Sequence, residues 1–292
     1  MPAQQHNQAV ATSMNDGRGR FLRLLHRELD LRAYFDAADR TLAGLLPFDS
    51  SCWLSLDPGT GLPTSHFSRE FGSDHLMELA GNEFLVDDVN KFAHLSRARR
   101  PVGILSQATR GDLRRSARFV RVLEPHGYGD GDELRVVFRN GQAVWGCAAL
   151  HRRRGCFEDR EASLIADVGG DVAEGIRRAI LRTALAGDSE PDPPGLIVLR
   201  GDDSIESLTP PAKRWLDEII DTTSDSSVVP LTVLSLAHRA RRAGSGEIED
   251  VAFASRSGWE AGSAWTPRCL TRRRLVASRS SSIPPASRRL RP

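Results

Sequence analysis

An Asn-Gly pair between two apolar runs constrains the fold of this chain more than any other feature of its sequence. Residues 133–150 read ELRVVFRNGQAVWGCAAL. Asn140 and Gly141 both tolerate positive φ, which suits them to the two central positions of a type I′ turn between antiparallel strands. The sequence therefore predicts a β-hairpin whose two-residue loop is Asn140-Gly141.

This turn also predicts how the two strands pair. Residues whose numbers sum to 281 would lie opposite each other, and side chains alternate between the two sides of a strand. One side would carry three apolar pairs, namely Phe138 with Ala143, Val136 with Trp145, and Leu134 with Cys147. The other side would carry Arg135, Val137 and Arg139. Its mixed polarity predicts contact with water or with a partly polar covering element.

Helices and further strands surround the hairpin along the chain. Apolar residues recur at helical spacing over 21–29 and again from Leu31 to Leu45, and Pro47 ends the second pattern. Two strands are predicted at Cys52–Leu56 and Ser65–Phe71, separated by a Pro-Gly-rich turn. This order of elements predicts an α+β fold, in which an antiparallel sheet is flanked by helices.

A long helix is predicted after the hairpin, over residues 158–185. Eight of its side chains recur at helical spacing, namely Leu164, Ile165, Val168, Val172, Ile176, Ala179, Ile180 and Thr183. They would serve for packing on the chain's own sheet or for pairing with the same helix of a second copy, and we expect a homodimer through this helix. Gly169-Gly170 predicts a bend or a close contact at its middle.

The distribution of Pro, Gly and polar residues divides the chain. Residues 1–19 predict a disordered leader, 20–186 hold the hairpin with its flanking elements, and 187–194 form a polar, Pro-rich linker. A second, smaller unit would span 195–254. Its predicted elements are a strand at Leu196–Leu199, helices that start near Pro210 and Pro230, and a strand at 247–254.

Residues 255–292 differ in composition from the rest of the chain. They hold nine Arg and one acidic residue, Glu260, so they carry +8 and the other residues carry −6 of the total charge of +2. They sustain neither a helical nor a strand period, and we expect them to be disordered. A frameshift in a GC-rich gene would give this Arg-, Ser- and Pro-rich composition, whereas a genuine basic arm would bind the phosphates of a nucleic acid.

The composition is that of a globular protein, with 40% hydrophobic and 27% charged residues. It contains no apolar run of about 18 residues, and its N-terminus lacks the apolar segment of a signal peptide. We therefore expect a cytoplasmic protein without a membrane span, whose cysteines are reduced. A zinc site from Cys147, His151 and Cys156 would lack a fourth ligand at a familiar spacing, so we predict no metal site.

The sequence contains no recognisable catalytic constellation. It has neither a phosphate-binding loop nor a dinucleotide fingerprint, and GYGDGDE at 127–133 lacks the spacing of a calcium loop. We therefore predict that the protein is not an enzyme, and the sequence indicates no particular cofactor.

A ligand pocket would lie between the sheet and its covering helices. The candidate ligand contacts are Cys52, Trp53, His66, Arg135, Trp145 and Cys147. Each has a structural alternative, because Trp145 and Cys147 are typical core residues and Arg135 would pair with a carboxylate such as Glu133 or Asp132.

Four short motifs carry a family resemblance. They are GDLRRS, DELR, the Trp-Gly pair of the hairpin and FEDRE, in this order, together with FDSSCWLSLDPGTGLPT. Through them residues 31–185, about half of the chain, resemble the GAF-type sensor region of actinobacterial LuxR-type transcriptional regulators. The segment GLIVLRGDDSIESLTPPAKRWLDEI is similar to the partial PAS-like unit that follows the sensor there.

The resemblance implies a module that senses a small molecule or a partner and controls a C-terminal helix-turn-helix. No helix-turn-helix is recognisable after residue 254, which argues against DNA binding and suggests a truncated regulator. We therefore expect the non-enzymatic sensory part of a LuxR-type regulator. A protein–protein adaptor and a nucleic-acid binder that uses the basic tail stay open, and a small-molecule enzyme is less well supported.

Overall fold

The computed structural model of the chain describes residues 17–70, 76–185, 195–218 and 229–244. The predicted linker 187–194, the strand at 247–254 and the tail 255–292 lie outside the described residues, as does the leader up to residue 16. Residues 17–19, the last three of the predicted leader, are helical.

Short helices precede and interrupt the strands, and one long helix follows them. The helices are α1 (17–25), α2 (Leu31–Ala43), α3 (Leu76–Leu85), α4 (Phe92–Leu95), α5 (Leu105–Ala108), α6 (Asp159–Leu185), α7 (Pro210–Glu218) and α8 (Leu231–Gly244). The strands are β1 (Ser50–Leu56), β2 (Pro63–Arg69), β3 (Val102–Ile104), β4 (Asp132–Asn140), β5 (Ala143–Arg152), β6 (Ile197–Leu199) and β7 (Ile205–Leu208).

The central element is a five-stranded sheet with the order β2-β1-β5-β4-β3, in which every neighbouring pair is antiparallel. Helices pack on both of its faces. This arrangement confirms the predicted α+β class, an antiparallel sheet flanked by helices. None of the helices in the described ranges has the length and apolarity that a membrane crossing requires.

The β4–β5 hairpin exists as predicted, but its register is not the predicted one. Asn140 pairs with Ala143, so the loop is Gly141-Gln142, with Gly141 at φ +61°. A glycine at the first central position with positive φ is typical of a type II′ turn. The loop is therefore assigned to this type and not to the expected type I′.

A bulge shifts the pairing by one further residue. Arg139 pairs with Val144 but Phe138 pairs with Gly146, which leaves Trp145 as the extra residue of β5. A Cβ on Gly146 would lie 2.6 Å from the carbonyl oxygen of Leu54, so only glycine permits this approach of β1. The expected pairs are therefore wrong, and the observed partners of Phe138, Val136 and Leu134 are Gly146, Ala148 and Leu150.

The first face of the sheet packs against α2 and α6. We call the buried cluster between them the first core; it includes Phe35, Trp53, Leu134, Val136, Phe138, Leu150, Val168, Val172 and Ile176. α2 begins at Leu31 because the Asp30 side chain accepts a hydrogen bond from the Ala33 amide (2.8 Å). α6 is one continuous helix through Gly169-Gly170.

Five of the eight predicted apolar positions of α6 are buried on this face: Ile165, Val168, Val172, Ile176 and Ala179. Leu164 and Ile180 are partly buried against the same cluster. Packing on the chain's own sheet therefore accounts for this side of the helix.

The second face of the sheet packs against α3, α4 and α8. We call its apolar cluster the second core; it includes Cys52, Leu54, Leu56, Ala80, Val137, Cys147, Val229, Leu231 and Leu234. Leu199 of β6 and Ile205 of β7 pack against it as well. The segment after residue 195, predicted as a smaller unit of its own, thus contributes side chains to the sheet's second face.

Candidate functional site

The six predicted ligand contacts divide between the two faces. Leu54 pairs with both Cys147 and His66, and Ala149 pairs with both Cys52 and Arg135. Because paired residues point to the same side, these four candidates share the second face. Trp53 and Trp145 belong to the first core, as a buried and a partly buried member respectively.

Trp53 has a structural role. Its side chain is fully buried and stacks on Phe138, with ring centroids 5.3 Å apart. Its Nε1 donates a hydrogen bond to Asp39 Oδ1 (3.0 Å), and Ser51 Oγ donates to the same oxygen (2.5 Å). Arg69 forms an ion pair with the other oxygen, so the Asp39 carboxylate ties α2 to β1 and β2.

Arg135 is the charged residue at the centre of the second face. Its Nη2 donates to Glu83 Oε2 (2.8 Å), its Nη1 donates to the Asn90 carbonyl (3.2 Å), and its guanidinium carbon lies 3.6 Å from the centroid of the Phe92 ring. The expected partners Glu133 and Asp132 are therefore wrong. Glu133 does point to this face, but Arg118 holds its carboxylate.

Buried polar atoms around Arg135 remain without a hydrogen-bond partner among the described residues. They are Arg135 Nε and Asn90 Nδ2, both of them donors. Asn90 lies against Gly103, which pairs with Arg135 across β3 and β4. A buried donor without an acceptor costs about 1–3 kcal/mol, so these are the groups on this face that a polar ligand atom would satisfy.

The two thiols give this face apolar character. Cys147 is fully buried and Cys52 nearly so. Burial raises the pKa of the Cys147 thiol well above its usual range, although the charge of Arg135 opposes this. A thiol that stays protonated is a poor nucleophile, and Cys147 contributes its side chain to the second core.

Two residues before Arg135 on β4, a row of side chains across the sheet is charged or polar. Glu133 pairs with His151, which pairs with Ser50, so the three side chains lie next to each other across β4, β5 and β1. Arg118 donates from Nε and Nη2 to Glu133 Oε2 (3.0 and 2.5 Å). The Asp88 carboxylate accepts a hydrogen bond from the backbone amide of Arg118 (2.8 Å). The same carboxylate lies 3.7 Å from Nη1 of the Arg118 guanidinium.

The charge state of Glu133 follows from these contacts. Burial alone would raise the pKa of its carboxyl. The positive charge of Arg118 and a hydrogen bond from His151 outweigh that effect and hold the pKa below its ordinary value. Glu133 is therefore a buried carboxylate with a buried counter-ion.

The same row has the composition of a nucleophilic triad. Ser50 Oγ lies 3.2 Å from His151 Nδ1, and His151 Nε2 lies 3.4 Å from Glu133 Oε1. All three side chains are no more than 2% exposed, and the Ser50 hydroxyl also hydrogen-bonds to Tyr128 (2.6 Å). The three side chains are enclosed, and their polar contacts join β1, β5 and β4.

A zinc site from Cys147, His151 and Cys156 does not form. Cys147 and His151 are four residues apart on one strand, a separation of about 13 Å. His151 is instead engaged by Ser50 and Glu133, and Cys156 is exposed. Within the described residues, no group of three or more His, Cys, Asp or Glu side chains is placed to hold a metal ion.

Sequence reasoning missed the row of charged and polar side chains, the role of Glu83 and the packing of α8 on the second face, although it predicted the helix that starts near Pro230. Arg118 is one of several arginines between Arg110 and Arg121, and no local pattern distinguishes it from the exposed ones. Ser50, His151 and Glu133 are far apart in sequence and meet only through the strand order. The motifs GDLRRS and DELR do flank or contain Ser116, Arg118, Glu133 and Arg135, and this was the available signal.

Comparisons with known proteins give little further information. No protein-family model matches the chain, and no curated protein matches it. Among solved structures, the chain is similar to the GAF domain of a phosphoenolpyruvate-protein phosphotransferase from Coxiella burnetii. The two are 14% identical with a TM-score of 0.38, and the match covers 58% of this chain and 95% of that chain.

Proposed function

We propose that this chain is a GAF-like sensor module that binds a small molecule on the second face of its sheet. The observation that carries the proposal is the buried Arg135, whose Nε has no partner among the described residues and which lies beside an apolar row. An apolar surface with a few placed polar groups is the usual character of a small-ligand site. The ligand would be mainly apolar, with an oxygen that accepts a hydrogen bond from Arg135.

We place this sensor in transcription regulation, as the sensory part of a cytoplasmic LuxR-type regulator. The support is the sequence resemblance, and residues in or beside its motifs form ion pairs between elements of the fold. Arg118 belongs to the stretch that follows GDLRRS, and Glu133 and Arg135 belong to DELR. In FEDRE, Asp159 forms an ion pair with Arg100, and Glu161 forms one with Arg152. A partner subunit would have to contact the less buried positions of α6.

The proposal is a non-enzymatic one. Its support is the burial of the Ser50, His151 and Glu133 side chains and the raised pKa of the Cys147 thiol.

Native mass spectrometry of the full chain, purified from its own cells, tests the proposal. We expect a noncovalent mass that is retained under native conditions and lost on denaturation. Arg135→Met should abolish the retained mass, whereas Arg139→Met should keep it. Arg139 is a matched control on the same strand and face, and among the described residues it donates to the backbone carbonyls of Ser96, Ala98 and Arg99. Equal retention by both variants would refute ligand contact by Arg135.

The composition of residues 255–292 favours a second candidate, a nucleic-acid binder. Nine Arg in this segment would contact phosphates. A gel shift of the full chain with duplex DNA should then disappear on deletion of 255–292 and weaken steeply with salt. A shift that survives the deletion would point to another part of the chain.

A further inference from the structure

The apolar part of the second face is covered by a helix from outside the segment that resembles a sensor. α8 lies on α3 and on the edge strand β2. Its Leu231 and Leu234 are buried in the second core together with Cys52, Leu54 and Cys147. The helix therefore occupies the surface on which an apolar ligand would bind.

Polar contacts fasten the C-terminal half of α8. The carboxylate of Asp203 lies 2.7 Å from His238 Nε2 and forms an ion pair with Arg241. Arg241 Nη2 also donates to the Arg200 carbonyl (3.1 Å), so both contacts lead to the turn between β6 and β7. We call Asp203, His238 and Arg241 the latch. A separate contact joins Arg239 Nη1 to the Thr60 carbonyl in the β1–β2 turn (3.0 Å).

The packing allows α8 to leave without unfolding the domain. None of its described side chains belongs to the first core, which holds α2, α6 and the strands together. Its described contacts are with α3, the edge strand β2, the second core, the latch and the β1–β2 turn. An element that contributes to one cluster alone can open locally, at a lower free energy than global unfolding.

We propose that α8 is an intramolecular occupant of the ligand-binding face, held by the latch, which dissociates when a ligand or partner takes its place. The chain then has two states, with α8 docked or released, and any ligand that binds only the released face shifts the population toward release. The identity of the displacing ligand rests on the function proposed above. The docking equilibrium itself can be measured without any ligand.

Cys52 is a built-in reporter of this equilibrium. It lies on β1, next to the strand that α8 covers, and it is buried, whereas Cys156 is exposed and serves as an internal standard. The full chain is pulsed with iodoacetamide under native conditions, and the labelled peptides are quantified by mass spectrometry. When closing is fast, the labelling rate of a buried thiol follows the population of the open form.

The variant Asp203→Asn weakens the latch, and Asp202→Asn is its matched control. Asp203 has φ +68°, a conformation that Asn tolerates well. Asp202 is exposed, and its carboxylate accepts hydrogen bonds from the amide and hydroxyl of the nearby Ser204. We expect Asp203→Asn to speed labelling of Cys52 by about tenfold or more, the effect of losing a charge-assisted hydrogen bond. Asp202→Asn should leave the Cys52 rate unchanged, and no variant should alter the Cys156 rate.

Hydrogen exchange of β4 separates release from unfolding. If α8 alone opens, the β4 amides stay as protected in Asp203→Asn as in the natural chain. An unchanged Cys52 rate, or a faster rate matched by loss of β4 protection, overturns the proposal. Should Asp203→Asn fail to fold, Arg241→Gln removes the other side of the ion pair and must give the same selective increase. Selective release in a chain that retains no ligand would sustain the latch and refute the proposed ligand binding.

Discussion

At the scale of single residues, the buried pair of Arg118 and Glu133 is the most constrained feature of the chain. Both side chains are no more than 2% exposed, and Asp88, Ser50 and His151 supply further polar contacts. Removing one member of a buried ion pair is costly, because the other charge is left in a medium that solvates it poorly.

Truncating the arginine measures this cost. We expect Arg118→Ala to lower the free energy of unfolding by about 3–5 kcal/mol, because Glu133 loses its counter-ion. Arg114→Ala is the control, since its ion pair with Glu124 is largely exposed and is worth about 1 kcal/mol or less. Urea denaturation followed by circular dichroism compares the two variants. Similar losses in both would mean that burial of the pair does not matter.

The lowered pKa of Glu133 predicts an acid-sensitive contribution to stability. Its ordinary pKa is 4.5 and its pKa in the folded chain is lower, so in acid the unfolded chain binds a proton that the folded chain does not. The contribution is fully present above about pH 5 and is lost as the pH falls further. Urea midpoints between pH 6 and pH 3 should fall less steeply for Glu133→Gln than for the natural chain. Parallel slopes would contradict this assignment.

At the scale of elements, α6 shows how two glycines in one helix differ. A Cβ on Gly175 would lie 2.0 Å from the hydroxyl oxygen of Tyr34, which donates to the Val172 carbonyl (3.1 Å). Gly175 therefore permits the close contact of α6 with α2. Gly170 is exposed, and a Cβ there would meet no atom within 4 Å.

The two positions predict opposite effects of alanine. Gly170→Ala should stabilise the chain by about 0.5–1 kcal/mol, because alanine loses less backbone entropy in a helix. Gly175→Ala should destabilise it by about 1–3 kcal/mol through overpacking against Tyr34. Thermal unfolding of both variants decides the matter. A stabilised Gly175→Ala would mean that α2 shifts easily and that the contact is not tight.

At the scale of the whole molecule, the sheet separates two cores of different origin. The first core joins α2 and α6 to the sheet, whereas the second also includes side chains from residues 229–234. A substitution in a locally docked element can lower the global free energy of unfolding by no more than the free energy of docking.

Two truncations of fully buried side chains test this separation. Ile176→Ala removes part of the first core and should cost about 2–5 kcal/mol of global stability. Leu234→Ala removes a comparable side chain from α8 and should cost clearly less, because α8 then stays released while the first core persists. Urea denaturation monitored by circular dichroism gives both values. An equal cost would indicate one cooperative core.

Local patterns predicted much of the fold because they depend on neighbours in sequence. The antiparallel hairpin, the long amphipathic helix and the alternation that separates Arg135 from Val136 all follow from such patterns. The register did not follow from them. Gly141 can take part in either a type I′ or a type II′ turn, and the bulge at Trp145 depends on how closely β1 approaches Gly146. That single extra residue moved Cys147 to the second face.

By itself, the sequence determined the α+β class and the presence of a mixed-polarity face that carries Arg135, Val137 and Arg139. Only the tertiary structure decided that Arg118 is the buried arginine, that Glu83 is the partner of Arg135 and that α8 covers the apolar row. Hydrogen bonding and side-chain periodicity act over a few residues and leave a trace in the sequence. Burial of a charge and coverage of a face depend on strand order and on segments far apart in the chain, which no local pattern records.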